Sequence, residues 1–266
     1  WYTLSLHDAL PISIDSTLWY LIANFIYSKR YKDSQWLKRQ DLSLKKAFQW
    51  LSFQDPNEDG LLAQLPTTDW QDAFPHKYGR TIYAHALYYS ALKLSRQDSK
   101  AKKIKSIVNG RSQKYLSLYD QNLGYYLPWA WKNHDGLREQ ETWFDSLGNF
   151  LAVITGLADK TQAVSILSFV EDKKINRPLP CKAIYPPLIS GTPEWHAYFS
   201  KCLAKDPYKY LNAGIWPFIG AFYIVSLIKL KKFKEAEEEL EILAQACLSG
   251  RFNEWHDGQT GNPEGN

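Results

Sequence analysis

The feature that most constrains this chain is an alternation of two kinds of helix. A segment that is apolar on most faces is followed by a short turn, then a segment that is apolar on one stripe, then a long loop, and the cycle recurs four times. The apolar segments are 16–29 (STLWYLIANFIYSK), 79–95, 142–157 and 214–230, and the amphipathic ones are 35–53, 99–119, 160–172 and 233–248. A helix apolar all round belongs inside and a one-sided helix outside. Short turns join the members of each pair at one end, so the long loops gather at the other, where function concentrates. This pattern predicts an all-α fold, an (α/α)6 toroid of inner helices ringed by outer ones. Six pairs need twelve helices and eight are legible, so about four of six pairs are expected in a chain cut at both ends.

Two other features bear on the boundaries. The chain contains no Met, and residues 2–12 (YTLSLHDALPI) match the translation of a common sequencing adapter. Residues 1–12 are therefore set aside as an artefact, and residues 13–266 are read as one partial catalytic domain, with Asp15 as N-cap of the first helix. Residues 1–12 lack the basic n-region and long apolar core of a secretory signal, and the location expected, with the true N-terminus missing, is cytoplasmic.

Composition removes several classes. A chain that is 45% hydrophobic is not disordered, and a net charge of +4 is too mild for a nucleic-acid binder. Cys181, Cys202 and Cys247 form no C-x-x-C pair, and His76, His85, His134, His196 and His256 form no H-x-x-x-H pair. No protein-borne metal or cofactor is expected. The uncharged run 210–228 approaches a membrane span in length, but Asn212, Gly214, Pro217 and Gly220 favour a buried inner helix. Lysines 229, 231, 232 and 234 followed by Glu235, Glu237, Glu238 and Glu239 fit two helix ends complementing their dipoles.

Two acidic–aromatic clusters carry the chemistry. One is Asp69-Trp70-Gln71-Asp72-Ala73-Phe74-Pro75 and the other is Asn253-Glu254-Trp255-His256-Asp257-Gly258, both in long loops. Glycoside hydrolysis needs two carboxyl groups flanking the scissile bond. Sugars also present apolar ring faces, so aromatic platforms belong beside the acids. Trp70, Trp129, Trp131, Trp143, Trp195, Trp216 and Trp255 all lie in or beside these loops. Loop acids are also common as caps and turn residues, and loop tryptophans could simply plug the barrel end. No G-x-S-x-G elbow, P-loop or G-x-G-x-x-G is present.

Six segments in order resemble the neutral/alkaline invertases and the related amylo-α-1,6-glucosidase-like hydrolases. They are DSTLWY (15–20), TDWQDAFPHKYGRTIYAHALYYSAL (68–92), WFDSLGNFLAVITGLA (143–158), YPPLISGTPEW (185–195), YLNAGIWPF (210–218) and FNEWHDGQTG (252–261). The resemblance implies an inverting glycosidase with Asp72 as general acid and Glu254 as general base. It places Asp15, Trp19, Asn212, Gly214 and Trp216 at the sugar subsite, with Asp145 and Asn149 nearby. Asp69, Trp70, Gln71, Arg80, Trp143, Trp195, Trp255 and His256 complete the candidate substrate-binding set, with Asp69 more a loop-ordering or subsite residue than the acid. Arg80 is balanced between a sugar contact and a pair with an acid, and His85 reads as a core histidine. Asp72 is expected to keep its proton in a partly desolvated pocket. The two carboxyl groups are expected ~6.5–9.5 Å apart, as inversion requires.

This chain departs from the family's Arg-Arg after the acid, which is Ala73-Phe74 here, and Ala213 splits the family's paired glycines. An α-glucoside is therefore as good a substrate expectation as sucrose. The partner expected is a carbohydrate, with no nucleic acid and no membrane, and the oligomeric state is open. The alternatives are a non-catalytic helical binding module, or a phosphorylase or epimerase on the same toroid. No fixed 34- or 40-residue repeat supports the first, and a base at Glu254 favours hydrolysis over phosphorolysis.

Overall fold

The computed structural model describes residues 13–111, 116–133, 135–248 and 253–265. The adapter-like residues 1–12 and His134 lie outside the described residues. Eight α-helices are present among them: α1 (Ile14–Tyr31), α2 (Ser34–Ser52), α3 (Ile82–Leu94), α4 (Asp98–Val108), α5 (Ser146–Thr155), α6 (Lys160–Asp172), α7 (Pro217–Lys229) and α8 (Phe233–Leu248).

The alternation seen in the sequence is the alternation of the fold. Helices α1, α3, α5 and α7 pack on one another in order, and α2, α4 and α8 each lie against the inner helix that precedes them. Burial follows period and composition. Ten of the 13 residues of α3 are buried, from Ile82 to Leu92, whereas α4 buries only Ala101, Ile104, Ile107 and Val108. That spacing of three and four puts one stripe of α4 on the core. The rings of Trp19 on α1 and Phe222 on α7 meet at 6.1 Å, bringing the first and last inner helices together.

Local chemistry sets the helix starts. Thr81 caps α3, Asp145 caps α5, and Asp159 and Gln162 form a reciprocal capping box on α6. Pro217 occupies the first turn of α7, where its missing N–H costs nothing. Two details differ from the sequence reading. Ser13, not Asp15, holds the N-cap position of α1, so Asp15 sits inside the first turn with its carboxyl free for longer-range partners. The expected helix 99–119 stops at Val108: Gly110 adopts a left-handed φ of 71°, and the chain turns into a hairpin of β2 (Tyr119–Asp120) and β3 (Tyr125–Tyr126).

Short strands organise the loop end. β1 (Arg80–Thr81), β4 (Trp129–Lys132) and β5 (Arg138–Gln140) form a three-stranded antiparallel sheet in the order β1-β4-β5. β6 (Phe144–Asp145) pairs with β7 (Ile184–Tyr185), and β8 (Trp255–His256) with β9 (Pro263–Glu264). Two 3-10 turns, Ala197–Lys201 and Leu203–Lys205, punctuate the Pro-rich stretch before α7. The N-termini of the inner helices converge at this end. Asp15 in α1 bonds Tyr83 in α3, Asp145 at the head of α5 faces Lys77, and Trp216 at the head of α7 touches Trp70. Among the described residues no helix is long and apolar enough to cross a membrane.

Candidate active site

The two acidic–aromatic clusters arrive at one place. Trp70 sets its ring edge-on to Trp216 at 5.8 Å and to Phe218 at 5.1 Å. Tyr210 lies 5.2 Å from Trp216 and 6.1 Å from Trp255. Beside these rings is a cavity of about 250 Å³, bordered by Trp216, Phe218, Asn253, Glu254 and His256. Asp72 and Glu254 are both exposed. Burial pushes the Tyr210 hydroxyl above its ordinary pKa, and the charges of Glu254 and Asp72 both add to that. The exposure of Asp72 corrects the expectation of a partly desolvated pocket around it. Its neighbours Gln71 and Phe74 are the buried ones, and the loop presents residue 72 outward.

The rest of the first cluster is anchored inward. Asp69 takes the Gln64 side-chain amide at 3.0 Å and pairs with the wholly buried Lys77 at 2.8 Å. The Trp70 backbone N–H donates to Asp15 Oδ2, which also takes the Tyr83 hydroxyl, each at 3.0 Å. Trp19 donates its indole N–H to that same hydroxyl. Gln71 accepts from Lys77 at 2.6 Å. Asp145 caps α5 through the Gly148 N–H and lies 3.7 Å from Lys77. Burial draws the Lys77 pKa down, but Asp69 and Asp145 outweigh it and hold the ammonium above the ordinary lysine value. Burial likewise pushes the Asp145 carboxyl up, with Lys77 opposing. Trp70 Nε1, Gln71 Nε2 and Asp145 Oδ2 are buried without a hydrogen-bond partner among the described residues.

The second cluster divides in the same way. Asp257 is consumed by its own turn: it accepts from the Gln259 and Thr260 amides and pairs with Lys209 at 2.8 Å. Burial would raise its pKa, but Lys209 and the two amides win and bring it to about 2. Glu254 stands at the cavity wall, with no hydrogen bond or ion pair among the described residues. His256 is buried with Nδ1 3.2 Å from the Gly261 carbonyl oxygen.

Other expected contacts are spent on structure. Arg80 is buried against Asp59, which resolves its two readings in favour of the acid pair. Asn149 holds β3 through the Tyr126 N–H and C=O, and Asn212 holds Leu188 in the same two-way fashion. Gly214 lies where a Cβ would stand 2.2 Å from the Tyr210 carbonyl oxygen, and the Trp216 indole donates to that carbonyl. Trp195 is half-buried, edge-on to Phe199 at 5.4 Å. Trp143 and Trp129 both donate to Glu141. His85 is wholly buried, its Nδ1 on the Thr81 carbonyl oxygen.

Lys77, Tyr83, Tyr210 and Glu141 are absent from the expected set. None of the four carries a sequence signal of its own, and Lys77 stands in sequence as an ordinary loop lysine between His76 and Tyr78. A second cavity, about 470 Å³ between Trp50, Phe53, Tyr78 and Trp131, has no carboxylate on its walls. Among the described residues no group of three His, Cys, Asp or Glu is placed to hold a metal ion.

Four pairs of inner and outer helices with the loops gathered at one end are the architecture of the (α/α)6 glycosidases. The GH63 mannosylglycerate hydrolase of Thermus thermophilus, solved with glucose, superposes with a TM-score of 0.67 over 96% of this chain and 71% of that one, at 13% identity. A rhamnosidase from Klebsiella oxytoca superposes with a TM-score of 0.58 over 94% of this chain and 42% of the other, at 11% identity. These likenesses concern the fold. Residues 133–266 match the alkaline and neutral invertase family, and the chain belongs to that family. Neutral/alkaline invertase 1 of Oryza sativa subsp. japonica, a mitochondrial protein, is 31% identical over 120 residues, which is 44% of this chain and 19% of that protein. Alkaline/neutral invertase C of Arabidopsis thaliana, also mitochondrial, is 22% identical over 298 aligned residues, 93% of this chain and 44% of that one. The chain thus spans between a fifth and less than half of the length of these relatives.

Proposed function

We propose that this chain carries the acid–base centre of an inverting glycosidase, with Asp72 as general acid and Glu254 as general base. What supports the reading is that two exposed carboxyl groups from distant loops both act electrostatically on Tyr210, whose ring packs on Trp216 and Trp255, with Trp70 and Phe218 against Trp216 and Glu254 on the wall of the adjoining cavity. The aromatic rings offer stacking faces for a sugar. Asp72 protonates the glycosidic oxygen as the bond to the anomeric carbon breaks. A water molecule attacks that carbon from the opposite face while Glu254 removes its proton, and the product carries the inverted anomeric configuration. The other candidate subsite residues act through the scaffold: Asp15, Trp19, Asp69, Gln71 and Asp145 hold the acid loop, and Asn212 and Gly214 shape the approach to Trp216. The family points to sucrose, and the Ala73-Phe74 departure keeps other α-glucosides in the substrate class.

The test is turnover of sucrose and of simple α-glucosides, with the first-formed anomer read by NMR. Asp72→Asn and Glu254→Gln are expected to abolish hydrolysis while retaining sugar binding by calorimetry. Turnover retained in either variant removes that residue's role, and a retained anomer removes the inverting mechanism.

A further inference from the structure

The segment 69–77 is a closed loop with Asp72 at its tip, and one side chain closes it. The outgoing leg is fixed residue by residue. Asp69 is buried on Gln64 and Lys77, the Trp70 N–H is held by Asp15, and the Gln71 side chain, with no exposed surface, is bonded to Lys77. Residues 72 and 73 then emerge. The returning leg goes back into the core at Phe74, whose ring packs 4.4 Å from Phe199. At residue 77 the chain turns its side chain inward, so that Nζ reaches back across the loop to Asp69 at 2.8 Å and Gln71 at 2.6 Å. The same ammonium stands 3.7 Å from Asp145 at the head of α5 and 5.5 Å over the Tyr83 ring of α3. It therefore ties both legs of the loop to two inner helices.

We propose that Lys77 is the positioning residue of the proton donor: by stapling residues 69 and 71 to α3 and α5, it fixes the point at which Asp72 meets the leaving-group oxygen. The inference rests on the glycosidase reading above and adds a residue to it. Fully buried ammonium groups are rare unless paired, and this one is charged among three carboxylates, those of Asp15, Asp69 and Asp145. A lysine serving only to fill space would be replaced by an apolar side chain without consequence for one step of the chemistry. A staple would not.

The chemistry supplies a readout specific to proton donation. Cleavage of sucrose requires a proton on the departing oxygen, which Asp72 must deliver. Cleavage of α-glucosyl fluoride does not: the carbon–fluorine bond breaks with fluoride leaving as the anion, water adds to the anomeric carbon, and Glu254 takes the water proton. A misplaced Asp72 therefore damages the first reaction and spares the second. Displacement of a catalytic group by about 1 Å costs on the order of 100-fold in rate.

Lys77→Met and Gln71→Met are to be assayed on both probes, with thermal melts to establish folding. Lys77→Met removes the staple outright. Gln71→Met removes only its contact nearest Asp72 and leaves the Lys77–Asp69 pair, so it serves where the first variant does not fold. The expected result is a fall in kcat for sucrose of roughly 100-fold in Lys77→Met, with a smaller fall in Gln71→Met, and only a few-fold change for the fluoride. Equal losses on both probes in a folded variant, or no loss on either, overturn the proposal. The assays use the whole protein that carries this chain; should it cleave neither probe, the glycosidase reading fails on its own. The staple is then decided by a crystal structure of Gln71→Met, where a shifted Asp72 carboxyl supports it and unmoved residues 69–72 overturn it.

Discussion

Glu141 gives the sharpest quantitative consequence of the structure. It lies between β5 and β6, and one of its carboxyl oxygens takes the indole N–H of both Trp129, at 3.2 Å, and Trp143. Burial pushes its carboxyl up to about 7, aided by the charge of Glu194 and opposed by the two indoles. The folded state therefore holds this proton more tightly than the unfolded chain, where the group titrates near 4.5. The contribution to stability is fully present below about pH 4.5 and is lost as pH rises through about 7. At 1.36 kcal/mol per pH unit the ceiling is about 3 kcal/mol, and the partial solvent contact of Glu141 screens this to about 1–2 kcal/mol. Glu141→Gln keeps an acceptor for the indoles and removes the titration. Urea unfolding of both proteins at pH 5, 6, 7 and 8 measures the difference in stability. The advantage of the unmodified protein should shrink by about 1–2 kcal/mol across that range. A difference that stays flat refutes the placement of a buried carboxyl between two indoles.

Three further outcomes follow from single contacts. Gly258→Ala places a Cβ 1.9 Å from the Ala213 carbonyl oxygen, so the turn between β8 and β9 or the segment before α7 must shift, and the melting temperature should fall by several degrees, about 2–4 kcal/mol; an unchanged melt contradicts it. Arg80→Leu strands Asp59 in a buried site and should cost about 3–5 kcal/mol in urea unfolding, most of it recovered when Asp59 is also made apolar. Burial brings the His85 pKa down to about 4 from 6.5, so its contribution is present above pH 6.5 and lost as pH falls toward 4; relative to His85→Gln the unmodified protein should lose up to about 3 kcal/mol between those values, measured by unfolding at pH 7 and 4.5.

Much of the helical architecture was written in periodicity. The α6 boundaries fall where its one-sided stripe begins and ends, with Asp159 capping the start, and α8 begins where its stripe does, just after the left-handed turn at Lys231. Helix α4 was overdrawn because its basic stripe continues past Gly110, and only the left-handed turn there breaks the bonding. The strands could not be seen at all. Runs of two residues such as Arg80–Thr81 or Trp255–His256 are too short for alternation to register, and they pair because the helix ends deliver them to one another. Asp15 is not the cap because the helix begins one residue before it, at Ile14, with Ser13 in the N-cap position and its hydroxyl donating to the Asp15 carboxylate rather than capping the backbone.

The site divides differently. The acids and aromatic residues were visible as clusters, but which acid faces outward depends on what absorbs its neighbours. Asp69 and Asp72 are alike in sequence; Lys77 and Gln64 draw the first inward, and among the described residues no hydrogen bond or ion pair draws the second. Asp257 and Glu254 part in the same way, through Lys209 and two turn amides. Lys77 itself looks in sequence like any solvated lysine, since its partners lie eight residues before it and 68 after. The burial of so many carboxylates becomes intelligible only with the inner helices in place. Asp15 and Asp145 stand at the N-termini of α1 and α5, where unpaired backbone N–H groups and the helix dipole favour negative charge. The convergence of those N-termini at the loop end makes it a place where acids can gather. The buried ammonium of Lys77 among them holds Asp69 inward, while Asp72, three residues on, stays exposed.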